Sequence, residues 1–288
     1  MSEERERECR GLAVVGGVSF DLATYSGLKG ALARSLRAGW PGDPEMPECM
    51  ELGRAPTPTE PGRYVWRDPS GGGMELVYVA AGGFPQLLVS MSGRGEEWRH
   101  GSIEEGFYAG VYPVTVGEYR RFVKAGVHDA GVEWSSPGWA VTDSHPVTHV
   151  SWHDAQAYSA WAGLRLLTEG EWEYAARGAD GRTYSWGDAL PDAKLCDWNR
   201  EFVAGPAAIG LHGTGASPFG LQDQCGGAWE WTDSPWALGD ETARVRRGGG
   251  WEHHDPSLVR ASHRDWAGPA ARGAFGFRCA RGVMPTFR

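Results

Sequence analysis

The sequence predicts an α+β domain that is loop-rich, with few helices and short strands. Three observations carry this. Glycine and tryptophan are abundant, 43 and 15 of the 288 residues, and long apolar runs are few. Turns with positive φ need glycine, and large flat side chains fill the gaps between loops. Capped helix starts recur up to Gly178, and helical periodicity then stops in favour of Gly-rich stretches and short strand-like pieces. Helices first and short strands afterwards is an α+β order.

Taken along the chain, residues 1–72 differ from the rest. A helix is expected over Ser26 to Arg37, where Leu28, Leu32 and Leu36 keep helical spacing. Pro41, Pro44, Pro47, Pro56, Pro58 and Pro61 follow, and Gly71-Gly72-Gly73 closes a stretch that reads as a linker or an arm on the main domain. The main domain is placed at 73–288, opening with a strand at Met74 to Val79. Thr115-Val-Gly-Glu118, Ser151-Trp-His-Asp154 and Thr168-Glu-Gly-Glu171 each pair an N-cap hydroxyl with an acid three residues on. The buried stripes behind them are Tyr119, Phe122 and Val123; Trp152, Ala155, Tyr158 and Ala162; and Trp172, Ala175 and Ala176. Gly126, Gly163 and Gly178 stand where C-terminal caps are expected. Strand-like pieces are Arg244 to Arg247 and Gly276 to Cys279.

The formal net charge of -9 argues against nucleic-acid binding driven by overall charge. Five cysteines, Cys9, Cys49, Cys196, Cys225 and Cys279, form no C-x-x-C pair. This pattern indicates neither a zinc ribbon nor a dense disulfide framework. The charged start, Met1 to Arg10, has no apolar h-region, and no apolar run approaches a membrane span. A cytoplasmic protein without membrane insertion is expected.

The segments Gly106-Phe107-Tyr108 to Phe122, His145-Pro146-Val147-Thr148-His149-Val150-Ser151-Trp152, Leu166 to Gly178, Tyr184-Ser185-Trp186-Gly187, Phe219-Gly220-Leu221, Trp229-Glu230-Trp231-Thr232, Arg247-Gly248-Gly249-Gly250-Trp251 and Gly276-Phe277-Arg278 occur in order. Together they resemble the formylglycine-generating-enzyme/sulfatase-modifying-factor family. That resemblance implies a C-type-lectin-like fold of the formylglycine-generating-enzyme type. The family's oxidases hold copper with two cysteines just after the Arg-Gly-Gly segment, and here no cysteine stands between Arg247 and Phe275. A second branch makes sulfoxides with iron on three histidines supplied largely by an N-terminal helical domain, and residues 1–72 contain no histidine. The expectation is therefore a protein that is not an enzyme. The alternative is an oxygen-using or otherwise catalytic relative. The resemblance also implies a structural Ca²⁺ at Asp223, Gly226, Ala228 and Glu230, a set of hard oxygen donors on a Gly-rich turn.

His145, His149 and His153 keep a four-residue spacing, but Pro146 and a helix start at Ser151 would point them apart, so they are read as structural. The segment Glu252 to Phe275 has no helical or strand period and mixes acidic, basic, aromatic and tiny residues inside a fixed frame. It resembles the variable protein of a diversity-generating retroelement, which mutates adenine-rich codons in the last segment of a C-type-lectin-like gene. The resemblance implies an exposed binding face. Trp266 and Phe275 would supply contact area, and Glu252, His253, His254, His263 and Asp265 polar selectivity. Ala270, Ala271 and Gly273 complete the candidate ligand site, for an unidentified protein or other macromolecular ligand.

Overall fold

Period-two alternation organises the centre of the molecule. The computed structural model describes residues 14–15, 18–19, 63–89 and 96–282. The expected helix at Ser26 to Arg37 lies outside them. Strands β1 (Arg63–Arg67), β2 (Gly73–Val79), β5 (Phe107–Gly110), β6 (Arg165–Leu166) and β11 (Cys279–Gly282) form one antiparallel sheet in the order β1-β2-β5-β11-β6. Successive residues of β2, β5 and β11 enter different cores. Leu76, Tyr108 and Cys279 join one, and Val77, Phe107 and Ala280 the other. Cys279 is buried and packs as a small hydrophobe. The hairpin β3 (Gly82–Val89) and β4 (Glu96–Ile103) stands apart from this sheet.

Helices α1 (Val116–Lys124) and α2 (Trp152–Trp161) cover the first core, and α3 (Glu169–Arg177) covers the second. All three begin with reciprocal capping boxes, the one on α2 built with Asp154. Gly126, Gly163 and Gly178 follow them at φ 67, 70 and 66°, where a Cβ would be strained.

A second sheet positions the site. Strands β7 (Trp229–Pro235), β8 (Arg244–Arg247), β9 (Arg264–Ala267) and β10 (Phe275–Phe277) run in the order β9-β8-β7-β10, with β10 parallel to β7.

Two boundaries move. The 72/73 division falls inside the β1–β2 hairpin, because Arg63 to Arg67 pairs residue by residue with Val77 to Gly73. The Asp68 carboxylate closes the turn by accepting from the backbone of Ser70 and Gly72. The segment after Glu252 is also not wholly loop. Its four residues Arg264–Ala267 pair with β8, and Asp265 faces Arg246. The piece Gly276 to Cys279 divides between two sheets, with Arg278 at the switch.

Candidate functional site

On β7 the alternation sends Trp229 and Trp231 to one face of the second sheet and Glu230 to the other. The two faces differ in kind. On the inner face Glu230 is fully buried, and both its oxygens accept from Arg278 at 2.7 Å while Trp172 Nε1 donates to it at 2.6 Å. Arg278 also donates to the carbonyls of Gly110, Val111 and Gln222. Beside this pair Arg247 meets Glu173 and Glu169, each at 2.8 Å, and Arg264 reaches Glu169 at 2.8 Å. Lone buried charges are costly, and these are paired throughout.

The outer face is half open around Arg246, while Trp231 and Phe277 on the same face are buried in the first core. Its centre is Arg246, whose guanidinium lies 4.8 Å from the Trp229 ring centre and 4.4 Å from that of Phe275. Asp265, opposite it on β9, accepts from Arg246 at 2.6 Å. Trp229 donates its indole N–H to Nε2 of His253 at 3.1 Å, and its ring also contacts His263, with centroids 5.7 Å apart. Glu252 Oε1 lies 3.9 Å from His253 Nε2. Burial lowers the pKa of both His253 and His263 below the usual histidine value, so both are neutral at pH 7. Arg272 ties down the return of the loop, donating to Ala130 O and pairing with Asp154 at 2.8 Å.

Glu252, His253, His263, Asp265 and Phe275 thus come together around residues the sequence reading missed, Trp229 and Arg246. The signal for both was strand alternation: Trp229 shares a face with Trp231, and Arg246 is out of phase with the buried Arg247. The other candidates lie elsewhere. Trp266 alternates away from Asp265 on the edge strand and is 51% exposed. His254 projects to solvent, and Ala270 and Ala271 occupy a turn closed by Ala271 N to Gly268 O. Gly273 accepts from His149 N and leaves room for the Phe275 ring, which a Cβ there would meet at 2.7 Å.

The three spaced histidines do separate. His145 bonds Thr142, His149 packs on Trp139 at a φ of 59°, and His153 lies against Trp152. Among the described residues no group of three His, Cys, Asp or Glu could hold a metal ion. The family's thiolate copper chemistry does not fit the described thiols either. Cys196, Cys225 and Cys279 are buried and their pKa values are raised by burial, Cys225 to about 11 and Cys279 to about 12.

The calcium set is only partly assembled. Asp223, Gly226 and Ala228 line a cavity of about 10 Å³, room for one water or ion, together with His212 and Asp197. Burial raises the Asp223 pKa. Gly226 has φ 86°, and a Cβ there would meet the Asp197 carbonyl at 2.5 Å. Glu230 does not belong with them, because Arg278 and Trp172 already hold its carboxylate.

Residues 65–283 match the model of the sulfatase-modifying factor enzyme 1-like domain. The chain is 39% identical over 165 residues to the inactive C-alpha-formylglycine-generating enzyme 2 of Bos taurus, covering 52% of this chain and 55% of that one. It is 39% identical over 183 residues to the formylglycine-generating enzyme of Streptomyces coelicolor, covering 52% and 58%. With the hercynine oxygenase of Mycolicibacterium smegmatis it shares 33% over 223 residues, covering 59% and 51%. The chain spans about half the length of these relatives. Among solved structures, PvdO from Pseudomonas aeruginosa superposes with a TM-score of 0.65 at 23% identity, covering 78% of this chain and 99% of that one. Treponema denticola variable protein 1 superposes at 0.61 and 17%, covering 77% and 100%. These two show the shared fold. The expectation that the chain is not an enzyme is corrected, since relatives at 33–39% identity are named as enzymes. The missing cysteine pair bears on one metal route only.

Proposed function

Because the chain belongs to the family of sulfatase-modifying factor enzyme 1-like domains, we propose that it uses the outer face of its second sheet to bind a protein or peptide ligand. On this reading residues 252–275 are the variable segment of a diversity-generating retroelement protein. One observation carries the proposal. Trp229, Arg246, Phe275, His253 and His263 form a half-open aromatic and polar face, while the same strands present a closed ionic network on the other side. Aromatic and Arg side chains at the centre of a patch are what interfaces use as anchors. The likeness in fold to a variable protein supports the same reading. No helix among the described residues is long and apolar enough to cross a membrane. The test is selection of peptides from a displayed library on the full chain, followed by competition between selected peptides and outer-face variants. Peptides that bind Arg246→Ala as well as the native chain would overturn the proposal. An adenine-rich near-copy of the codons for 252–275, beside a reverse transcriptase gene, would support the retroelement assignment.

A second reading is favoured by a specific feature of the same face. The His263 imidazole, held neutral by burial beside the Trp229 indole, is in the form that accepts protons in general base catalysis. A catalytic relative would return its ligand chemically changed. Mass spectrometry of a bound peptide after aerobic incubation separates the two: an unchanged mass supports binding alone, and a changed mass supports catalysis.

Calcium is proposed as a structural ion at Asp223 with the carbonyls of Gly226 and Ala228, without Glu230. One carboxylate in place of two implies weak affinity.

A further inference from the structure

The bond between Trp229 and His253 determines more than packing. An indole nitrogen only donates, so His253 Nε2 at 3.1 Å is the acceptor. The neutral imidazole must then carry its proton on Nδ1. Among the described residues that nitrogen has no hydrogen-bond partner, and it is not one of the buried polar atoms left unpaired, so on a side chain 22% exposed it keeps some access to solvent. The backbone holds the ring in place from both sides, His253 N donating to Gly250 O and His253 O accepting from Asn199 N.

We propose that His253 is the specificity-determining donor of this face: Trp229 fixes it as the Nδ1–H tautomer, and that N–H is offered to a neutral carbonyl of the ligand. The identity of the acceptor follows from the charges around the ring. Arg246 on β8 is matched by Asp265 on β9 at 2.6 Å, so this pair contributes no net charge. Glu252, next in the chain, lies 3.9 Å from Nε2, and its Oε2 is buried without a partner. His254 flanks the ring, and His263 shares the Trp229 ring with it. A ligand carboxylate would approach an uncompensated Glu252, whereas an amide carbonyl accepts the same bond without that repulsion. Peptide backbone supplies such carbonyls, which deepens the proposed ligand-binding function and rests on it for the identity of the ligand.

Protonation would undo the arrangement. A proton on Nε2 places donor against donor at Trp229, and Glu252 Oε1 is the acceptor within reach. The tautomer therefore holds only while His253 is neutral.

The experiment is NMR of the full chain with ¹⁵N-labelled histidine and tryptophan, titrated in pH without any ligand. His253 should show the nitrogen shifts of the Nδ1–H tautomer. Its midpoint should lie below the usual histidine value of about 6.5, and the Trp229 indole N–H should move with that midpoint. In Trp229→Phe, which keeps a ring but removes the donor, His253 should lose this tautomer preference while other resonances report an intact fold. An Nε2–H tautomer in the native chain, or an indole signal that ignores the His253 titration, would overturn the proposal. A second arm adds N-acetylglycine methylamide or acetate and follows the Nδ1–H signal. A shift with the amide and none with acetate is expected; an equal response, or none to the amide, sinks the carbonyl assignment. Failure of peptide selection, with the tautomer present, would count against the ligand and not against the tautomer.

Discussion

The two faces of the second sheet each bury arginine, and they satisfy it differently. On the inner face Arg247 and Arg278 are enclosed and held by Glu173, Glu169 and Glu230. On the outer face Arg246 is held between two rings, and its one carboxylate partner, Asp265, is 37% exposed. Carboxylates that enclose a buried guanidinium make a frame. Rings and a half-exposed carboxylate leave polar edges available. One residue of strand alternation separates the two roles, Arg246 from Arg247 and Trp229 from Glu230.

The largest expected effect is on the inner face. Glu230→Gln removes the charge partner of a buried guanidinium and should cost about 3–5 kcal/mol in denaturant unfolding. Away from that network, Trp251→Ala and Phe277→Ala, fully buried aromatics, should cost about the same. A loss under roughly 1 kcal/mol in Glu230→Gln would mean that the inner network is not the frame.

A smaller effect is expected from Arg246→Ala. Exposed pairs are worth about 0–1 kcal/mol and solvent-accessible cation–π contacts about 0.5–1 kcal/mol. With one pair and two rings the loss should therefore stay at or below about 3 kcal/mol, and one larger than that of Glu230→Gln would erase the distinction between the faces.

Local chemistry was legible in the sequence and long-range pairing was not, for physical reasons. Hydroxyl-to-acid spacing and trailing glycines are local chemistry, so α1, α2 and α3 could be read together with their caps. The strand at Arg63–Arg67 was hidden because its partner lies across a turn and its flanks are Pro- and Gly-rich. Strand β9 was hidden because four residues with a salt-bridged Asp265 show no apolar alternation. Glu230 was expected as a calcium ligand from the family resemblance, and nothing local indicates that Arg278, 48 residues later, holds it. His253 was singled out through the variable-protein resemblance of its segment, and its orientation depends on Trp229, 24 residues earlier.

Acid should weaken the outer face first. His253 and His263 have pKa values lowered in the fold, so the unfolded chain binds more protons once pH falls below the unfolded histidine value of about 6.5. Their contribution is fully present above that value and is lost as pH falls toward the folded values. Stability measured across this window should decline with acid, and His253→Gln with His263→Gln should flatten the slope. An unchanged slope in the double variant would assign the decline to other groups.

Smaller still, replacing His254, Trp266 and Ala270 together should shift stability by about 0.5 kcal/mol or less per site, as for exposed positions. A chelator should lower Tm slightly in the native chain and leave Asp223→Ala unmoved, by mass action at a weak site. Equal chelator responses in the two would remove calcium from Asp223.

The central claim, that the outer face binds while the inner face frames, is tested most directly by one affinity measurement. Peptides selected on the full chain are titrated against the native protein and Arg246→Ala, with unfolding recorded on both. Loss of an anchor at the centre of an interface costs about 2 kcal/mol or more, roughly 30-fold in Kd. The account predicts that loss in a variant that remains folded. Equal affinity for the two proteins would contradict it.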